Sequence, residues 1–167
     1  PGWAPLAGPQ PFACPDGPAL ELPRGTADLA LELREIHPHR DIVAADFALG
    51  MLREARTKVR GLGAAERVRL VGADALALPF ADRTFACVTS AFLLRNLADL
   101  RQGLAEMKRV TRPGGRVVAL EITQATLPGF RSLFRLYFHH LVPRIGGLVA
   151  GDREAYTYLP QSVDRFL

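Results

Sequence analysis

The feature that most constrains this chain is a rhythm. Short, continuously apolar runs alternate with stretches of helical spacing, and several runs end at an acidic residue. Residues 19–22, 42–45, 68–71, 84–91 and 116–122 form the apolar runs. The last of them reads RVVALEI, and the fourth is rich in β-branched and aromatic residues. Between them, residues 26–36, 49–60 and 100–110 place apolar side chains three and four apart, as Leu29, Leu33 and Ile36 do, which predicts helices. Gly61 and Gly63 follow the second of these, and Pro113-Gly114-Gly115 stops the third. Strands with both faces covered read as unbroken apolar runs rather than alternating ones. Strands joined by helical crossovers pair in parallel, with right-handed connections. The expected fold is therefore α/β: a Rossmann-like open, mostly parallel sheet with helices on both faces.

The flanks differ from this core. Residues 1–18 hold six prolines. Each removes an amide donor and fixes φ, so the segment is predicted to be irregular. A single domain is expected over residues 19–167. Residues 127–148 interleave Phe130, Leu133, Phe134, Tyr137, Phe138 and Leu141 with arginines and with His139 and His140. That segment reads as core, as an apolar lid over a lipid-like ligand, or as a membrane contact at 130–142. The net charge of +4 comes from dispersed arginines, which argues against a nucleic-acid stripe. No apolar run reaches the roughly 20 residues of a membrane span. The two cysteines, Cys14 and Cys87, are far apart in sequence and are read as free thiols of a reducing compartment. Localisation is expected to be cytoplasmic.

An open parallel sheet binds ligands beyond the carboxyl ends of its strands. Asp46, ending the second run, suits the two hydroxyls of a ribose, or the cap of the following helix. Asp74 with the amide of Ala75, after the third run, suits the edge of an adenine, or an Asx-turn. Two polar anchors at neighbouring strand ends are what a nucleoside requires. The loop after the first run, Glu21 to Asp28, contains only Gly25, and it matches neither a dinucleotide nor a phosphate-loop pattern. Arg95 and Asn96 follow the fourth run. They suit an oxygen-bearing substrate, or a surface ion pair and a helix cap. His37 and His39, with Asp41 nearby, do not complete a metal set, and no metal is expected. No G-x-S-x-G elbow is present.

Taken together, the segments GTADLALEL, IVAADFALGMLREA, VRLVGADALALPFADRTF, AFLLRNLADL, EMKRVTRPGGRVVALEIT and AYTYLPQS resemble the ubiquinone/menaquinone biosynthesis C-methyltransferase family. The resemblance implies a class I methyltransferase fold, here lacking the family's last strands, with S-adenosyl-L-methionine as cofactor. It also implies a polyprenylated quinol as substrate. By position it puts Gly25, Thr26 and Asp28 at the methionine end of the cofactor, Asp46 at the ribose, Asp74 and Ala75 at the adenine, and Ala91 among the cofactor contacts. Arg95, Asn96 and Tyr156 fall on the substrate side as the catalytic set, with Tyr158 close to the last. Peripheral membrane contact and homo-oligomerisation stay open. The chain departs from the family at Pro23 and Ala27, where small or glycine residues are usual, in the bulk of Arg24 between Pro23 and Gly25, and at Ala86, where an aspartate is. Those departures, with the proline-rich start and the abrupt end, leave open a non-catalytic domain or a truncated gene product.

Overall fold

The computed structural model describes residues 15–23, 26–122 and 162–163. Two compact units divide the chain, Pro1–Leu120 and Glu121–Leu167. In the first, the described elements run in order β1 (Ala19–Pro23), α1 (Asp28–Ile36), β2 (Ile42–Asp46), α2 (Leu49–Gly61), β3 (Val68–Gly72), β4 (Phe85–Ala91), a single 3-10 turn (Leu94–Asn96), α3 (Leu100–Val110) and β5 (Thr111–Leu120). The strands form one sheet in the order β3-β2-β1-β4-β5, and all their pairings are parallel.

β1 is the middle of this sheet and is buried along its whole length. Ala19 pairs with Ile42 on one side and with Cys87 on the other. Because the chain moves outward from β1 first to β2 and β3, then returns to β4 and β5, the order reverses beside β1. A crevice opens at such a reversal. One face of the sheet packs Ala19, Ile42, Ala44, Val68 and Cys87 against Ala30 of α1 and Ala55 and Val59 of α2. The prevalence of alanine there lets the helices approach closely. The other face packs Leu20, Leu22, Val88 and Phe85 against Met107 and Val110 of α3. Met107 is fully buried, and replacing a core residue of this kind by alanine removes about 2–5 kcal/mol.

Helix starts follow from local chemistry. Asp99 caps α3, its Oδ1 accepting from the Gln102 amide at 3.0 Å. α1 starts at Asp28, two residues later than its spacing predicts, because Ala27 sits at its N-cap with φ 59°. β5 starts at Thr111 rather than at residue 116, since Thr111 already pairs with Phe85. The Pro113-Gly114-Gly115 stop lies inside the strand as an irregularity between the Phe85 and Cys87 pairings. Gly114 takes φ 77° in open space, whereas a Cβ on Gly115 would meet the carbonyl oxygens of Ala86 and Arg112 at 2.8 Å.

The free-thiol expectation is corrected. Cys87 is disulfide-bonded, and no free cysteine is present among the described residues. Separation along the chain is a poor guide where β1 and β4, distant in sequence, lie side by side. Cys14, the prolines before residue 15 and the aromatic segment 130–142 lie outside the described residues. No helix among the described residues is long and apolar enough to cross a membrane.

The two glycines give a test of the β5 irregularity. Gly115→Ala forces backbone apart and is expected to destabilise the chain by about 1–3 kcal/mol, while Gly114→Ala meets only dihedral strain, about 1–2 kcal/mol. Urea titrations of the two variants should rank Gly115→Ala as the worse.

Candidate functional site

The carboxyl ends of β1, β2 and β3, with the segment after β4, enclose a cleft of about 310 Å³. Pro23, Asp46, Phe47, Asp74, Ala75 and Asn96 are among its lining residues. Parallel pairing puts Asp46 level with Gly72, so the two anchoring carboxylates arise from neighbouring strand ends, as their spacing predicts. Asp46 Oδ1 accepts from the Ala48 amide at 2.8 Å. Asp74 Oδ1 accepts from the Leu76 amide at 2.9 Å. Each aspartate therefore uses one oxygen to shape its own turn, which fixes the side chain's rotamer. The cap and Asx-turn readings are thus realised without displacing either residue from the cleft.

The wall carrying Asp74 is braced from α3. Glu106 Oε2 accepts from the Leu78 amide at 2.7 Å, and Gln102 Nε2 donates to the Leu76 carbonyl at 3.1 Å. Arg109 donates to both oxygens of Glu106, to Asp82 and to the carbonyls of Leu78 and Phe80. The guanidinium of Arg109 holds the Glu106 carboxyl below its ordinary range. Gly103 on α3 makes room for the cleft: a Cβ there would overlap Leu97 Cδ1 and lie 3.7 Å from Leu76 Cδ2. Both leucines line the cleft.

Behind the cleft stands a residue that apolar patterning passes over. Glu21 occupies the buried centre of β1 with 1% exposure, and its Oε2 has no hydrogen-bond partner. Burial, with the charges of Asp46 and Asp28 as smaller causes, pushes its carboxyl up to about 8. A buried carboxyl in the field of two other carboxylates rests as the neutral acid, and its unpartnered oxygen suits a positively charged ligand group. The signal in the sequence is an acid inside an otherwise apolar run, ALEL.

Thr26 and Asp28 bracket Ala27. Thr26 Oγ1 donates to Asp28 Oδ2 at 3.0 Å, and Lys58 of α2 donates to Asp28 Oδ1 at 2.8 Å and to Thr26 Oγ1. The hydrogen bond from Lys58 is the main reason that the Asp28 carboxyl lies below its ordinary range. Ala27 keeps a left-handed φ between them, at a cost of about 1–2 kcal/mol for a residue with a Cβ. Ala91 is in the sheet, paired with Pro23 and Leu120, and is not among the residues of the cleft wall.

Beyond β4, Phe92 also has a left-handed φ of 58°. Its amide donates to the Leu120 carbonyl at 2.8 Å, and Asn96 Nδ2 donates to the Phe92 carbonyl at 2.8 Å. Arg95 stacks on the Phe92 ring, its Cζ 5.3 Å from the centroid. Sequence reasoning missed Lys58, Phe47 and Phe92 in these roles. Gly25, Tyr156 and Tyr158 lie outside the described residues.

An all-parallel sheet that reverses its order at β1 and opens a polar-anchored cleft at its carboxyl edge is the class I methyltransferase fold. The domain superposes on an S-adenosylmethionine-dependent methyltransferase from Aquifex aeolicus with a TM-score of 0.60 at 20% identity, over 83% of this chain and 71% of that one. A putative methyltransferase from Methanococcus maripaludis gives a TM-score of 0.62 at 16% identity, over 89% and 67%. The model of the ubiE/COQ5 methyltransferase family matches residues 13–167, and the chain belongs to that family. It is 47% identical to a demethylmenaquinone methyltransferase of Deinococcus radiodurans, over 99% of this chain and 68% of that protein. It is 48% identical to the Thermus thermophilus protein of the same name, over 88% and 66%. The chain thus spans about two thirds of the length of the curated relatives it matches.

Two tests follow from the geometry. Gly103→Ala gains roughly 1 kcal/mol of helix propensity but drives Leu97 into the cleft. Its affinity for S-adenosylhomocysteine, read by calorimetry, should fall while the thermal midpoint stays level or rises. Glu21 has its folded pKa raised, from 4.5 to about 8, so folding favours the neutral acid. That contribution is complete below about pH 4.5 and is lost as pH rises to about 8. Glu21→Gln should flatten the decline of urea stability across this window, leaving the variant the more stable chain at pH 9.

Proposed function

We propose that this chain carries the cofactor-binding core of an S-adenosyl-L-methionine-dependent C-methyltransferase, and that its substrate is a polyprenylated quinol of the demethylmenaquinol kind. The observation that carries the reading is the pair Asp46 and Asp74, each held by its own turn, on a cleft backed by an orphaned Glu21 carboxyl oxygen. Family membership and the names of the relatives from Deinococcus radiodurans and Thermus thermophilus support it.

The residues present fit that cofactor. Asp46 is suited to accept hydrogen bonds from the ribose hydroxyls, and Asp74 with the Ala75 amide to pair with the adenine edge. The exposed ring of Phe47, which also lines the cleft, offers the base an apolar face. Glu21 answers a ligand that carries positive charge: with a cation beside it, its carboxyl ionises and its orphaned oxygen gains a partner. Thr26 and Asp28, with Gly25 between β1 and α1, belong at the methionine end.

When bound, the cofactor supplies a methyl group already activated on sulfur, so the protein's main task is alignment with a nucleophilic ring carbon. That carbon is electron-rich once the quinol hydroxyl has lost its proton. Arg95 serves as the cation that stabilises the phenolate oxygen, since a guanidinium is a permanent cation with N–H donors and no acceptor for a proton. Asn96 and Tyr156 complete the substrate side. The ring carbon would take the methyl group as its bond to sulfur breaks, leaving the neutral thioether, and the ring proton would then pass to water as the ring regains aromaticity. A prenylated substrate resides in a membrane, and we place the protein in the cytoplasm with peripheral contact through residues 130–142; self-association is part of the same proposal.

Calorimetric titration with S-adenosylmethionine and S-adenosylhomocysteine tests the reading. Micromolar binding that Asp46→Ala weakens by at least tenfold, about 1.4 kcal/mol, followed by methyl transfer to a short-chain demethylmenaquinol, is the expected result. A well-folded chain that binds neither ligand would instead make this a non-catalytic member of the family.

A further inference from the structure

Phe92 is a bulky residue in a left-handed conformation, the backbone state that such side chains adopt least readily. Strain of that kind persists where surrounding groups impose it, and it concentrates at functional sites. Here both backbone polar groups of Phe92 are claimed from outside. Its amide is fixed to the last residue of β5 and its carbonyl to the Asn96 carboxamide, each at 2.8 Å. Asn96 is itself set in place by its own amide, which donates to the Leu93 carbonyl at 2.8 Å. A glycine would adopt this φ without strain, but it would carry no ring. The side chain that the strain presents lies under the guanidinium of Arg95.

We infer that Phe92 is the positioning residue for Arg95, and that Asn96 acts through the Phe92 carbonyl. This rests on the reading of Arg95 as the cation at the substrate oxygen. The contact of the ring with the guanidinium restrains the plane in which the N–H donors of Arg95 lie and leaves those donors at its edge for an oxygen. The β4 exit, the 3-10 turn and the end of β5 thus combine into one bracket that orients a single charge. The carboxamide of Asn96, which the family resemblance puts on the substrate side, is committed to that bracket by its Nδ2.

The test uses the intact chain with a short-chain demethylmenaquinol and S-adenosylmethionine, on wild type, Phe92→Leu, Phe92→Trp and Phe92→Gly. Phe92→Leu should lower kcat about tenfold, the scale of a partly desolvated cation–π contact. It should leave S-adenosylhomocysteine affinity within about twofold, because the cofactor anchors are elsewhere, and should move the pH of half-maximal kcat upward as the phenolate loses its aligned cation. Phe92→Trp should recover most of the rate. Phe92→Gly should lose the rate although its backbone is relaxed, which separates the ring from the turn. Independently of turnover, the Arg95 Nε–H resonance should be displaced by the ring current in wild type and return to the ordinary arginine position in Phe92→Leu. A Phe92→Leu variant with wild-type kcat and pH profile, or an Arg95 resonance unmoved by the substitution, overturns the inference. If the wild-type chain binds cofactor but transfers no methyl group, the quinol reading fails, and the resonance alone decides whether the ring sets Arg95.

Discussion

The parallel pairing of β1 with a neighbour on each side organises the domain. With both edges and both faces covered, β1 has no solvent to satisfy any group that it carries. Its backbone amides and carbonyls are matched by the two ladders, and four of its side chains are apolar or proline. The exception is Glu21. A carboxyl in that position is stable as the neutral acid, or as an anion with a cation beside it. The sheet thus supports a polar group that its own packing would reject, and it does so directly behind the cleft.

Several of the unfavourable features of the described residues gather around the same edge, the left-handed Arg83 before β4 being an exception. Ala27 and Phe92 both hold left-handed dihedrals, Glu21 Oε2 and Ser90 Oγ are buried without partners, and each lies at or near the carboxyl end of β1 or β4. The opposite end of α3 is by contrast well satisfied: Arg109 engages two carboxylates and two carbonyls. A rigid, fully bonded brace at one end of a helix steadies a strained, incompletely bonded rim at the other. That division agrees with the general tendency of sites to be built from local violations which the rest of a fold sustains.

Much of the architecture is legible in the sequence, because period and punctuation are local signals. The five runs became strands in parallel order, and the helices fell where spacing and caps put them. Asp46 and Asp74 were legible for the same reason: a residue that ends a buried run lands on the carboxyl edge of the sheet. The errors have physical causes. Pro113-Gly114-Gly115 looks like a stop, yet the partner strand β4 tolerates an irregularity at Ala86, so β5 starts before it. Lys58 reaches Thr26 and Asp28 across about 30 residues, and a contact of that range leaves no trace in local spacing. The brace from Glu106 and Arg109 is invisible for the same reason, and so is the state of Cys87. Glu21 was visible as an oddity in ALEL, but its meaning required knowing that β1 is central.

The pairing of Ala19 with Cys87 has a consequence for how the chain is made. β1 leaves the ribosome before either of its partners, and the second of them is encoded far downstream, after two helices and two further strands. Until β4 arrives, one edge of a strand that ends fully buried is unpaired, and the half-sheet of β1, β2 and β3 presents it to any other extended chain. Folding must therefore wait on a long-range closure, which slows it relative to helical domains of similar size. During synthesis the chain's vulnerable period is set by how long β1 remains without β4, a property of gene order rather than of the finished fold.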